Sequence, residues 1–80
     1  MSASVAASIG VGDHAWFRKG PRGKLRLGRV TDRVVFRKGN FVRSRFLVDT
    51  GSAGTFDLWS DQLIRKATPA EIASGRFIQT

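Results

Sequence analysis

The chain has 80 residues, 14 Lys or Arg against six Asp or Glu, a formal net charge of +8, one histidine and no cysteine. A chain this short is one domain at most and buries roughly 60% of the surface its unfolded form exposes. Without thiols, disulfides and a closed Cys/His zinc site are excluded, and no run of ~18 apolar residues offers a membrane span.

The opening stretch, Met1 to Gly10, is small and weakly apolar. It lacks the basic start and long apolar stretch of a secretory signal and reads as a flexible leader over 1–10. Asp13 to Phe17 alternates His14 and Trp16 with Ala15 and Phe17, a short strand pattern that ends at Gly20-Pro21 and Gly23. From Lys24 to Arg37 the alternation is longer and changes phase once. Leu25 and Leu27 share one parity, Val30, Val34 and Phe36 the other, and Gly28 lies between. That phase change predicts a long second strand bent or bulged at Gly28.

Phe41 to Asp49 forms the third strand. If Lys38-Gly39-Asn40 is a three-residue loop, the inward pairs are Phe36/Val42, Val34/Ser44, Asp32/Phe46 and Val30/Val48. The outward pairs are then Val35/Arg43, Arg33/Arg45 and Arg29/Asp49. A one-residue slip would set Phe36 opposite Arg43 and is disfavoured wherever that face is buried. Turn residues from Asp49 to Gly54 lead into a fourth strand, Thr55 to Trp59, with Phe56 and Leu58 on one side. Ser60-Asp61-Gln62 reads as a 3₁₀ turn before a last strand, Leu63 to Lys66. Thr68-Pro69-Ala70-Glu71 is a helix start with a cap, a first-turn proline and a capping-box glutamate, and Gly75 is its end. So short a helix needs Ile72 and Phe77 to dock on the strands.

Val11-Gly12-Asp13-His14-Ala15-Trp16-Phe17, Leu27-Gly28-Arg29-Val30, Phe46-Leu47-Val48-Asp49, Gly54-Thr55-Phe56-Asp57-Leu58-Trp59 and Asp61-Gln62-Leu63-Ile64-Arg65 follow one another as five short strands. In that arrangement the chain resembles the SH3-like small β-barrels of the Tudor and KOW-like variety. The resemblance implies an all-β fold: an SH3-like five-stranded, strongly bent antiparallel barrel over 11–66, followed by a short C-terminal helix and tail over 67–80. Such barrels bind DNA, RNA, modified peptide tails or other proteins, and the fold alone does not choose among them. Tudor-like readers hold methylated side chains in an aromatic cage, for which Trp16, Trp59 and Phe41 are the candidates, but the surrounding arginines would repel a cationic tail. A weaker similarity, in length, leader and Gly-Asp barrel start, is to the plasmid-encoded type II dihydrofolate reductases. Their pore-lining Val-Gln-Ile-Tyr is replaced here by Thr55-Phe56-Asp57-Leu58-Trp59, so reductase activity is not expected.

Charge is the strongest functional signal. Residues 18 to 45 hold eleven of the 14 basic side chains against one acid, Asp32. A charge that served only solubility would have no reason to gather in one third of the chain. Eight of the eleven are arginines, which bind phosphate in a bidentate way and stack on bases. The expected partner is nucleic acid, DNA or RNA, bound mainly at its phosphates with little sequence preference. Arg29, Arg33, Arg37, Lys38, Arg43 and Arg45 would form a hairpin track, and Arg18, Lys19, Arg22, Lys24 and Arg26 a second group in the first loop, with Trp16, Phe41 and Trp59 available for stacking. The repeated Phe-Arg-Lys-Gly, at Phe17 and again at Phe36, marks the two basic ends of that track.

Catalysis is not expected. His14 has no nucleophile and orienting acid arranged around it, and Gly20-Pro21-Arg22-Gly23 lacks the Gly-Lys-Ser/Thr ending of a phosphate loop. No cofactor and no metal site are indicated. The alternative reading is a protein-interaction module, for example a phage or mobile-element protein docking on an acidic host protein. The composition points to a cytoplasmic protein without a membrane partner, and so small a core favours a homo-oligomer.

Overall fold

The computed structural model describes residues 9–78. The leader expected over 1–10 lies outside the described residues except at its end. There Ile9 is buried in the core, and Gly10 donates its N–H to Asp13 Oδ2 at 2.9 Å. The ordered unit therefore begins before Val11.

The described residues form an all-β domain of five strands: β1 (His14–Phe17), β2 (Arg26–Lys38), β3 (Phe41–Asp49), β4 (Thr55–Trp59) and β5 (Leu63–Lys66). One short helix, α1 (Pro69–Ser74), follows, and 3₁₀ turns occupy Gly51–Ala53 and Ser60–Gln62. The strands make one antiparallel sheet in the order β4-β3-β2-β1-β5. Its edge strands, β4 and β5, do not pair, so the sheet is open where a closed barrel was expected. No helix among the described residues is long and apolar enough to cross a membrane.

The core lies on one face of the sheet. Ile9, Ala15, Phe17, Val30, Phe46, Val48, Leu58 and Leu63 are buried together, with Phe56 packed on their margin. Each of the larger side chains contributes about 1.5–3 kcal/mol on burial. Gly28 is not the bend in β2 that its place in the sequence predicts. It pairs regularly with Ala15, and a Cβ there would stand 2.3 Å from Val48 Cγ1 and 3.1 Å from the Asp49 carbonyl oxygen. It is glycine because β3 lies too close for a side chain.

The irregularity in β2 comes three residues later. Val30 pairs with Val48, but Asp32 pairs with Leu47, leaving Thr31 as the extra residue of a bulge. Beyond it the ladder runs Arg33/Phe46, Val34/Arg45, Val35/Ser44, Phe36/Arg43, Arg37/Val42 and Lys38/Phe41. This is the slipped register that the sequence reading disfavoured. The loop is the two-residue Gly39-Asn40, with φ of 59° at Gly39 and negative φ at Asn40, the pattern of a II′ hairpin turn.

Two physical reasons support the correction. From Thr31 to Lys38 every residue of β2 is exposed, so no burial penalty enforces the predicted pairing. The observed register also sets each arginine opposite an apolar residue, whereas the predicted one sets Arg33 against Arg45, and opposed like charges destabilise a sheet. Val34 and Phe36 consequently lie on the face away from the core, beside Trp59, whose ring centroid is 5.8 Å from that of Phe36.

The C-terminal segment closes over the other end of the outer face. Thr68 Oγ1 accepts the Glu71 N–H at 3.2 Å, Glu71 Oε1 accepts the Thr68 N–H at 2.9 Å, and Gly75 ends the helix, as the capping pattern predicts. Phe77 docks edge-on against Trp16, with centroids 5.2 Å apart, but Ile72 stays exposed. A partly buried ion pair holds this segment: Arg65 Nη1 and Nη2 meet the buried Glu71 Oε1 and Oε2 at 2.7 and 2.6 Å. The Ile78 N–H adds a further bond to Glu71 at 2.6 Å, and the Ile78 carbonyl accepts from Arg65 at 2.8 Å. The Arg65 hydrogen bonds, reinforced by the backbone N–H groups of Thr68 and Ile78 and by the nearby Trp16 indole, hold the Glu71 carboxyl far below the usual glutamate range despite its burial. Glu71 raises the pKa of Arg65 in turn.

Candidate nucleic-acid interface

Trp59, the last residue of β4, lines an open groove on the outer face. It lies opposite Arg45. The Arg43 guanidinium sits 3.8 Å from its ring centroid and that of Arg45 at 5.1 Å. The turn after β4 joins this tryptophan to the first loop through one side chain, Gln62. Gln62 Oε1 accepts the Trp59 N–H at 2.8 Å, its Nε2 donates to the Lys19 carbonyl at 2.5 Å, and its own carbonyl accepts the Arg18 N–H at 3.0 Å. These bonds bring Arg18 and Lys19 to the Trp59 side of the sheet.

The result is an open groove of about 570 Å³, lined by Arg18, Lys19, Pro21, Arg43, Trp59 and Asp61 among others. Three cations and one carboxylate line it, and Trp59 gives it an aromatic wall. A smaller concavity of about 150 Å³ on the same face differs in character, with Asp32, Asp57 and Arg45 around Val34, Phe36 and Leu47. Arg45 Nε is bonded to Asp57 Oδ1 at 2.5 Å. This part of the face is largely apolar, and its three charged residues sum to −1.

Among the described residues three ion pairs form: Arg45–Asp57, Arg65–Glu71 and Lys66–Asp13. Of the basic residues between 18 and 45, Arg45 alone is paired with a carboxylate. The cluster is thus not neutralised internally, but it is not one track either. Arg43, Arg45 and Lys38 belong to the outer face, whereas Arg33 and Arg37 share the face that carries the core, opposite Phe46 and Val42. Arg33 packs 5.5 Å from the Phe46 ring centroid. Arg29 is cross-strand to His14 and Asp49, lower in the sheet. Arg26 lies against Phe56 at 5.3 Å, shared with Lys19 at 5.8 Å, and Arg22 and Lys24 are exposed on the first loop.

The stacking candidates separate as sharply. Trp16 is 3% exposed beneath Phe77, so it offers no face to a base. Its burial follows from the docking of the C-terminal tail, which sequence alternation does not reveal. Phe41 is 61% exposed beside the hairpin turn. Trp59 is half-buried with Arg43 already over its ring, so the three aromatics form no cage for a methylated side chain. Of the two Phe-Arg-Lys-Gly copies, the first lines the groove and the second leads into the hairpin turn. Gln62 is the site residue that sequence reasoning missed. The 3₁₀ turn that carries it was legible, but nothing in the sequence marks its bond to a residue 43 positions away.

Comparison with protein-family models, with curated proteins and with solved structures gives no match for this chain.

Proposed function

We propose that the protein binds nucleic acid, mainly at phosphates, with Arg18, Lys19 and Arg43 around Trp59 as the central contact. The observation that carries this reading is the convergence of these cations, from two separate elements, on one open groove with an aromatic wall. Arginine stacked over a tryptophan ring is suited to gripping a phosphate while a neighbouring base rests on the exposed part of the ring. The cysteine-free composition fits a cytoplasmic setting, where nucleic acid is abundant.

The test is the salt dependence of binding to duplex DNA, single-stranded DNA and RNA. If about six phosphates are contacted on a duplex, log K falls against log salt with a slope near −5. A slope near zero overturns the proposal. The apolar patch of Val34, Phe36 and Leu47 beside the cationic groove supports a second reading, docking on an acidic protein that meets both. Binding to one such protein that survives excess random DNA would select it.

A further inference from the structure

Beyond Val34 and Arg45 the β2–β3 hairpin leaves the body of the domain. The Val30 N–H still donates to the Asp13 carbonyl and the Gly12 N–H to Val30, but beyond that point β2 has no backbone partner on its β1 side among the described residues. β4 covers β3 only from Arg45 to Asp49, so Phe41 to Ser44 are open on the other edge. Four residues of each strand, Val35 to Lys38 and Phe41 to Ser44, make a two-stranded ribbon about 13 Å long. Within it Val35, Phe36, Phe41 and Val42 are 42 to 61% exposed, so the ribbon has no core of its own.

Resting on the nucleic-acid reading above, we infer that this ribbon is an arm that enters the major groove of duplex DNA. From Val35 to Ser44 it holds three basic residues, Arg37, Lys38 and Arg43, and no acid, a charge complementary to a polyanion, and Arg33 and Arg45 flank its base. These cations lie on both faces, Lys38 and Arg43 on one, Arg37 on the other with Arg33 below it. A surface laid against one side of a duplex needs cations on one face only, but a ribbon standing between two phosphate walls meets them on both. The major groove of B-form DNA, about 12 Å wide, admits a two-stranded ribbon. The deep, narrow major groove of A-form RNA does not. Phe41, beside the turn at the ribbon's tip, would then lie within reach of base edges and thymine methyls. Arg18 and Lys19 would hold the flanking backbone at the arm's base.

The experiment compares the full chain with the double variant Arg37→Gln/Lys38→Gln, whose positions are exposed and outside the core. Binding is measured by salt titration on mixed-sequence duplex DNA and duplex RNA of equal length, with methyl green as a major-groove competitor and netropsin as a minor-groove one. The arm in the groove predicts that the variant keeps its melting temperature while its salt slope becomes shallower by about 1.8, two contacts at ~0.9 each. It also predicts displacement by methyl green but not netropsin, and affinity for duplex DNA on the order of tenfold or more above duplex RNA. An unchanged slope in the variant, displacement by netropsin alone, or equal affinity for the two duplexes overturns the arm while leaving the nucleic-acid reading intact. Displacement of DNA by polyglutamate as readily as by DNA at equal charge also overturns it, since an acidic polypeptide has no groove. Failure of the unmodified chain to bind any nucleic acid at low salt overturns both.

Discussion

The same two strands, β2 and β3, live under different rules below and above Thr31. Below it, Val30 faces Val48 among buried neighbours, and Gly28 has been reduced to a hydrogen because β3 leaves no room. There, a slip of one residue would turn apolar side chains outward and is prohibited by burial. Above it, both faces mix valine and phenylalanine with arginine and every β2 residue is exposed, so burial has no say. A tight turn and the spacing of like charges choose the pairing instead. A bulge reconciles the two choices. Continuous hydrogen bonding along a strand therefore does not imply a single cause for its register.

The contrast is broken most severely from the buried side. Phe46→Ala should cost about 3–5 kcal/mol, against roughly 4–12 kcal/mol for a whole domain of this size, and urea titration should find the variant largely unfolded or close to it. Gly28→Ala, which forces a methyl against Val48 Cγ1, should cost about 1–3 kcal/mol by overpacking. Its melting temperature should fall by about 4–8 °C for each kcal/mol. By contrast, Val35→Thr and Val42→Thr on the arm should each move stability by no more than about 0.5 kcal/mol. Losses on the arm as large as those in the core would show that the ribbon is packed rather than free.

Acid offers an intermediate perturbation that acts on the packed end alone. Glu71 is held below its ordinary value of 4.5 chiefly by the Arg65 hydrogen bonds, and Asp13 below its ordinary 3.8 chiefly by the Gly10 N–H, with Lys66 adding to it. A carboxyl with a depressed folded value contributes stability that is complete above the unfolded value and is lost as pH falls through the folded one. Thermal stability should therefore decline progressively below about pH 4.5, and Glu71→Gln should be less stable at neutral pH with a flatter acid limb. An acid limb unchanged by the substitution would mean that the Arg65–Glu71 clasp does not couple to folding.

These regions also differ in how far the sequence disclosed them. The strand order of events, the 3₁₀ turn at Ser60 to Gln62 and the capped helix from Thr68 to Gly75 were legible, because each rests on local chemistry: alternation, turn residues, a capping box. The hairpin register was not, because it depends on a balance between a loop of two or three residues and cross-strand repulsion, each worth little. Gln62 bridging to Lys19 and Trp16 under Phe77 are long-range pairings with no periodic signature, and Arg65 against Glu71, six residues apart, depends on how the helix folds back on β5. The basic residues could be counted from the sequence, but their division between two faces follows from the register and was lost with it.

The smallest perturbation separates the two influences on the arm. Gly39 occupies φ of 59°, and placing an L side chain in that left-handed region costs about 1–2 kcal/mol. The competing register uses Lys38-Gly39-Asn40 as a three-residue loop, in which Asn40 can take the left-handed position at lower cost. Its penalty is Arg33 opposite Arg45, a repulsion of roughly 0.2–1 kcal/mol. For Gly39→Ala the turn term exceeds the charge term, so the arm should slip and the bulge at Thr31 should dissolve. Cross-strand NOEs between Val34 and Arg45 and between Phe36 and Arg43 would give way to Val34 with Ser44 and Phe36 with Val42. The melting temperature, set by the core below, should move by only a few degrees. Persistence of the original NOEs would assign the register to charge spacing rather than to the turn, and adding Arg33→Ala to the same variant should then release it.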